Sequence, residues 1–355
     1  MTLYLRPINF IDSPQQHDGA SARLAGTMLW FGAVELIVRD GSCKTRSIVP
    51  VAQCRTLPDA AQIIYANLTS ARAPLQMGTR TIRLDQPQVM GILNLTPDSF
   101  SDGGKLGDDP DAATAAGVAL SASGAAILDI GGESTRPGAP VVWEGDEIKR
   151  ILPTIERLAR TGAAISVDTR KAAVMEAALG AGALMINDVS ALLYDDRSLS
   201  VAVSSIGPVA LMHAPSQSSD PHKGGDYDDV LFDVYDWLEA RVAVAEAAGV
   251  DRSRIVIDPG IGFGKSLSDN LTIINNLSLF HGIGCPILFG ASRKRMIGAL
   301  SKEAAVDERL GGSVFLAMRA VEQGAQIVRV HDVAETVQAI HVWRGLRDAA
   351  LTAAA

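Results

Sequence analysis

From about residue 88 onward the chain repeats one pattern: a short apolar run, a cluster of Gly, Asp or Ser, then an Ala-rich amphipathic stretch. The apolar runs are QVMGILN, AAILDI, AAISVD, ALMIND, PVALMH, RIVID, PILFG and QIVRV, and the stretches between them include 109–124, 146–161, 171–180, 227–249 and 307–323. Runs this short and this uniformly apolar, bounded by turn formers, predict strands buried on both faces. Their alternation with helices predicts parallel βαβ units. Eight such units over about 260 residues match a (β/α)8 TIM barrel. An open doubly wound sheet is the other arrangement of such units, but no GxGxxG motif follows the first strand.

The first 84 residues read differently. TMLWFGAVELIVRDG alternates in the manner of strands and DAAQIIYANLTSARA has helical spacing, so residues 1–84 are expected to form an N-terminal α/β extension of unknown role. The barrel is then expected over 85–347, with a tail at 348–355. Packing or dimerisation is the simplest role for the extension.

Composition narrows the function. The 355 residues carry 32 Lys+Arg against 40 Asp+Glu, with only 5% aromatics and a pI near 5.3, which argues against nucleic acid as a partner. There is no apolar stretch of membrane-spanning length and the N-terminus lacks a signal-peptide layout, so the expectation is a cytoplasmic protein without membrane contact. Cys43, Cys54 and Cys285 have no CxxC spacing and read as free thiols.

Polar residues gather where the predicted strands end: Asn94, Asp129, Asp168, Asn187 with Asp188, His213, Asp258, Ser292-Arg293-Lys294, and Arg329 with His331. A single Asp at such a place is ordinarily the cap of the next helix. In a barrel, however, all eight ends converge on the face that carries active sites. Asp168, Asn187 and Asp258 suit the donor-rich edge of a flat aminopyrimidinone heterocycle. Arg136, Arg293, Lys294, Arg329 and His331 suit a phosphate or pyrophosphate, and Asn94 suits a Mg2+ that shields it. The expected pocket thus has an acidic end and a basic end. Two long Gly-rich loops, 94–104 and 131–139, read as lids. There is no Ser-His-Asp order, HExxH or P-loop.

MGILNLTPDSFSDGG, DIGGESTRPGA, SVDTRK, INDVSAL, LMH, IDPGIGFGKS, GASRKRMIG and RVHDVAET resemble, in order, the successive signatures of the dihydropteroate synthase family, over roughly 88–340. The resemblance implies a transferase of folate biosynthesis, the sulfonamide target. Its members condense 6-hydroxymethyl-7,8-dihydropterin pyrophosphate with 4-aminobenzoate. It implies a pterin pocket of Asp168, Asn187, Asp258 and Lys294, with Met212 and Phe263 as walls and Gly262 leaving room for the ring. It assigns Asn94, Arg136, Arg329 and His331 to the pyrophosphate, with Asn94 also toward Mg2+. Phe100, Asp102, Thr135, Arg136 and Pro137 fall on the loops that close over 4-aminobenzoate, whose carboxylate approaches Arg295. Asp168, Lys294 and Arg329 are implied as catalytic, and a homodimer is implied as the assembly.

Two departures from the family stand out: the N-terminal segment, and APSQSSDPHKGG after LMH where many members carry Met-Gln-Gly. Two other functions share parts of the pattern. A barrel passing a folate methyl group to a corrinoid has no use for the cationic group, and an inactive pterin-binding protein is expected to have lost Arg136, Lys294, Arg329 or His331. All four are present.

Overall fold

The computed structural model describes residues 1–352 apart from 16, 18, 97–108, 137, 217 and 219. The chain begins with a small antiparallel sheet in which β3 (Trp30–Asp40) is central, flanked on one side by β1 (Thr2–Ile11) and on the other by β2 (Ala22–Arg23) and β4 (Cys43–Pro50). Helix α1 (Asp59–Thr69) follows, and then a hairpin of β5 (Leu75–Met77) and β6 (Arg80–Ile82) that turns at Gly78, whose left-handed φ of 61° suits a residue without a Cβ.

The remaining strands are all parallel. They are β7 (Gln88–Asn94), β8 (Ile127–Gly131), β9 (Ile165–Asp168), β10 (Met185–Asp188), β11 (Val209–Met212), β12 (Ile255–Asp258), β13 (Leu288–Phe289) and β14 (Ile327–Val330). The helices between and after them are α2 (Pro110–Ala122), α3 (Glu144–Ala159), α4 (Ala172–Ala181), α5 (Ser198–Ser204), α6 (Val230–Ala248), α7 (Leu267–Asn275), α8 (Arg295–Leu300), α9 (Leu310–Val321) and α10 (Val333–Thr352). The strand order is β12-β11-β10-β9-β8-β7-β14-β13, and a parallel bridge from Ile257 to Ile287 joins its two ends. The expected barrel is therefore present and closed.

Side chains alternate along each strand between the helical shell and the barrel axis. The outward set, including Leu128, Ile130, Ile165, Val167, Ile257 and Val328, belongs to the main core against the helices. The inward set begins with Met90, Ile127, Ala164, Met185, Ala210, Val256, Leu288 and Ile327, which form a separate apolar cluster with Leu75, Met77, Ile82 and Leu84. The β5–β6 hairpin thus plugs the floor of the barrel. Two residues further along the same strands lie Asp129, Ser166, Asn187, Met212, Asp258 and Arg329, so the step from floor to polar interior is one strand period.

The N-terminal sheet packs on the outside of the barrel against α6 and the 3-10 turn Leu277–Ile283. Helix α6 is apolar on two faces: one meets the barrel, and Phe232 and Tyr235 meet the fully buried ring of Tyr4, at centroid distances of 4.5 and 5.3 Å. Polar pins surround this contact. Tyr4 Oη donates to Asp236 at 2.9 Å, Arg39 pairs with Asp233 at 3.1 Å, Arg6 Nη1 donates to Asn276 at 2.6 Å and Asn67 Nδ2 donates to the Gly282 carbonyl at 2.8 Å.

Replacing Tyr4 by Ala removes a buried aromatic ring, for a loss of about 3–5 kcal/mol, whereas Tyr4→Phe loses one hydrogen bond, about 1 kcal/mol. Urea unfolding is expected to show a large fall in midpoint for the first variant and a small one for the second. Equal midpoints for Tyr4→Ala and the parent chain would mean that the sheet does not contribute to the core.

Candidate active site

The mouth of the barrel holds one connected polar network. Arg329, inward on β14, donates from Nε to Asp129 Oδ2 at 2.5 Å and from Nη2 to Asp168 Oδ2 at 2.6 Å. Asn187 Nδ2 reaches the same Asp129 oxygen at 3.1 Å. Asp129 is fully buried, and its other oxygen, Oδ1, is buried with no hydrogen-bond partner among the described residues. An orphaned buried acceptor carries a desolvation penalty, so this oxygen is suited to a ligand or water donor. Burial works against the charge on Arg329, yet Asp129 and Asp168 raise its pKa, while burial pushes the Asp168 carboxyl up to about 7 against the opposing pull of Arg329.

A second group lies across the mouth. The loop after β12 turns at Gly260, where φ is 67° and an added Cβ would stand 1.9 Å from the His213 carbonyl oxygen. This tight turn lets Gly260 N–H donate to Asp258 Oδ1 at 2.7 Å and hold the carboxylate in place. At Gly262, φ is 83° and a Cβ would press on the Lys294 stem at 3.1 Å. Lys294 crosses this position to donate to the Ile261 carbonyl and lies 4.7 Å from the centroid of the Phe263 ring. Burial lowers Lys294 to about 8 against the nearby Asp258, whose carboxyl burial pushes up. Phe263, Met212, Val189 and Ala214 form a small apolar cluster beside these groups. Lys265 donates to His213 Nδ1 at 2.9 Å and to the Gly260 carbonyl at 2.9 Å, and burial lowers it to about 7.

The expected division into acidic and basic ends is not what the fold builds. Arg329 and Asp168 point inward from strands separated by β7 and β8, close enough to pair, so opposite charges interleave. His331 is also not a cation at neutral pH, because burial, helped by Arg329 and Arg293, lowers it to about 3; its Nδ1 lies 3.0 Å from Ser292 Oγ. Arg293 forms an ion pair with Asp332. Arg295 begins the six-residue α8 and is exposed, as is Arg136 on the loop after β8, whereas Asn94 and Thr135 are partly buried at the rim. Phe100, Asp102 and Pro137, with most of the 94–104 lid, lie outside the described residues.

Some participants had a weak sequence signal or none. Asp129 was visible as a strand end, but its central place follows from inward register. Lys265 stands in GFGKS, where nothing in the sequence says that it turns back under the loop. Glu133, Lys171, Glu147 and Arg170 form a buried ion cluster below the loop after β8, with Lys171 Nζ 2.9 Å from Glu133 and 2.6 Å from Glu147, and Arg170 Nε 3.1 Å from Glu133. Glu133 also accepts from Val142 N–H at 2.9 Å, tying the far end of that loop to its start.

A family of pterin binding enzymes matches residues 90–331. The dihydropteroate synthase of Neisseria meningitidis serogroup B is 44% identical over 280 residues, covering 78% of this chain and 98% of that relative. A probable bifunctional folylpolyglutamate synthase/dihydropteroate synthase of Haloferax volcanii is 45% identical over 264 residues, which are 74% of this chain but 31% of the archaeal protein. The chain therefore spans about a third of that bifunctional relative. Among solved structures, Xanthomonas albilineans dihydropteroate synthase with 4-aminobenzoic acid superposes with a TM-score of 0.72 at 45% identity, covering 78% of this chain and 99% of that one.

The lowered lysines give a direct test of the site's electrostatics. Both side chains are protonated below their pKa and become reactive amines as pH rises through it, near 7 for Lys265 and 8 for Lys294. Pulsed acetylation read by mass spectrometry between pH 6 and 10 is expected to show the rate at these two reaching half its plateau at a lower pH than at the surface lysines. The same midpoint as an exposed lysine such as Lys149 would refute the burial argument.

Proposed function

This chain belongs to the dihydropteroate synthases among the pterin binding enzymes, and on that basis we infer how its geometry serves the reaction. The enzyme condenses 6-hydroxymethyl-7,8-dihydropterin pyrophosphate with 4-aminobenzoate, giving 7,8-dihydropteroate and pyrophosphate. The C–O bond at the pterin methylene breaks with its electron pair leaving on pyrophosphate. The arylamine nitrogen forms the new C–N bond and gives up one proton.

The observation that carries the assignment of roles is that Asp129 and Asn187 on one side of the mouth face Asp258 and Lys294, beside Phe263 and Met212, on the other. Asp258 and the orphaned Asp129 oxygen offer acceptors to the pterin's N–H edge, Asn187 an amide, and Lys294 a cation for a carbonyl oxygen. Arg329 uses Nε and Nη2 on two carboxylates, which leaves part of its five-donor fork for an anion. Asp168 and Asp129 compensate this buried guanidinium before substrate arrives, and its charge is then directed at the leaving pyrophosphate. Fixed carboxylates beside the pterin also oppose the positive charge that grows at the methylene, the preorganised kind of stabilisation that costs no rearrangement during the reaction.

Mg2+ fits this chain chiefly as a passenger on pyrophosphate. No group of three or more His, Cys, Asp or Glu suited to a metal occurs among the described residues, and Mg2+ commonly keeps its waters and binds through substrate phosphates. Asn94 is the residue we assign to it, and the ion would supply charge neutralisation of the leaving group. We assign Arg136 and His331 to the pyrophosphate side, with His331 as a neutral hydrogen-bonding partner. Thr135 and the exposed Arg295 serve the arylamine.

The assembly we propose is a homodimer through the neighbouring helices α9 and α10, where Leu310, Phe315, Val342 and Leu346 are all exposed, because apolar side chains gathered on one surface mark an interaction site. A reducing cytoplasm suits its free thiols, with Cys54 and Cys285 buried and Cys43 exposed. No described helix is long and apolar enough to cross a membrane.

Pyrophosphate release that requires both substrates is the expected activity, and release without 4-aminobenzoate or none at all would contradict the assignment. In Asp258→Asn the retained oxygen stays on Gly260 N–H and the amide NH2 faces the pterin's donors. Such a mismatch costs about 1–3 kcal/mol, so calorimetric pterin affinity should fall roughly tenfold or more; unchanged affinity removes Asp258 from the site. Phe315→Asp should convert the protein to monomers in sedimentation velocity, and an unchanged dimer would place the interface elsewhere.

A further inference from the structure

His222 lies in the loop after β11, within the DPHKGG stretch where the chain departs from its family's pattern. Its ring meets two other rim loops. Nε2 lies 2.7 Å from the Thr135 carbonyl oxygen in the loop after β8, and Nδ1 lies 3.2 Å from the Gly262 carbonyl oxygen in the loop after β12. The imidazole also stacks on Phe263, with centroids 4.6 Å apart and planes 8° from parallel. A carbonyl oxygen accepts only from an N–H, and the contact to Thr135 is the shorter of the two, so the principal bond is taken as Nε2–H to Thr135.

The loop that carries this ring is itself fixed. Asp220 Oδ1 accepts from the His222 N–H at 2.9 Å, and Arg170 Nη1 donates to the Ser218 carbonyl at 3.2 Å while its guanidinium lies 4.1 Å from the Tyr194 ring centroid. The loop after β8 is pinned at its base by Glu133 and Val142, and Thr135 and Arg136 lie between those pins in the sequence. Between the two loops is a cavity of about 280 Å3, with Thr135 and Arg136 on one side and Asp220 and Pro221 on the other.

We propose that His222 is a positioning residue that staples the loop after β8 to the pterin wall and so sets the arylamine side of the site. The proposal rests on the reaction given above. The Thr135 bond and the Phe263 stack have separable consequences. The Nε2 bond fixes Thr135, which serves 4-aminobenzoate, whereas the stack braces Phe263, which serves the pterin.

The variants His222→Gln and His222→Phe separate them. Gln places an amide N–H at the Nε2 position and gives up the stack; Phe keeps the stack and gives up the bond. In His222→Phe, the KM for 4-aminobenzoate should rise at least fivefold with that for the pterin substrate within twofold. In His222→Gln the KM for 4-aminobenzoate should stay within twofold of the parent. Hydrogen–deuterium exchange without substrates should quicken over residues 132–142 in the Phe variant and not in the Gln variant. The proposal is overturned if both constants move together in the Phe variant, if Gln behaves as Phe does, or if exchange over 132–142 is unaltered in both. A parent enzyme that forms no dihydropteroate would defeat the assigned reaction instead, and the exchange arm would still decide whether the staple exists.

Discussion

Alternation along a closed parallel barrel is the constraint on which everything else here depends. Because successive side chains point to opposite faces, each strand that buries an apolar residue at the floor must direct the residue two places later into the same interior. On β8 this pair is Ile127 and Asp129, on β10 Met185 and Asn187, on β12 Val256 and Asp258, and on β14 Ile327 and Arg329. The apolar floor, sealed by the β5–β6 hairpin, shuts water out from below. Polar groups placed above it can exchange with solvent and substrate only through the mouth.

Such an interior is costly for charge, and the network around Arg329 shows how the cost is offset. A buried guanidinium needs well-placed partners, and it has them in Asp129 and Asp168. Those carboxylates in turn retain unmet capacity: Asp129 Oδ1 has no partner among the described residues, and Asp168 is pushed up to about 7 by its burial. A ligand that brings complementary donors and an anion would meet that capacity.

The N-terminal sheet addresses a different problem. In the barrel, α6 is apolar on two faces, and the 3-10 turn Leu277–Ile283 is buried throughout. Tyr4 and the strands around it cover both. The same helix begins directly after the loop that carries His222, and Lys44 from β4 pairs with Asp229, the residue that caps its first turn. The sheet thus supports, at one remove, a loop at the catalytic rim.

The barrel was legible in the sequence because its cause is local: eight apolar runs alternating with helical stretches have few other ways to bury themselves. The sequence also determined that Asn94, Asp168, Asn187, Asp258, Lys294 and Arg329 share one face, since strand ends in a barrel must converge. It marked strands and a helix in the extension, again from periodicity. Only the tertiary structure decided how charges on that face meet. Arg329 and Asp168 are 161 residues apart, and their pairing, like the neutrality of His331, depends on distance and burial that spacing does not encode. The same holds for the docking of Tyr4 on α6 and for His222, whose three contacts come from two other loops. A loop residue carries no periodic signal, so its role exists only once the fold has brought those loops to it.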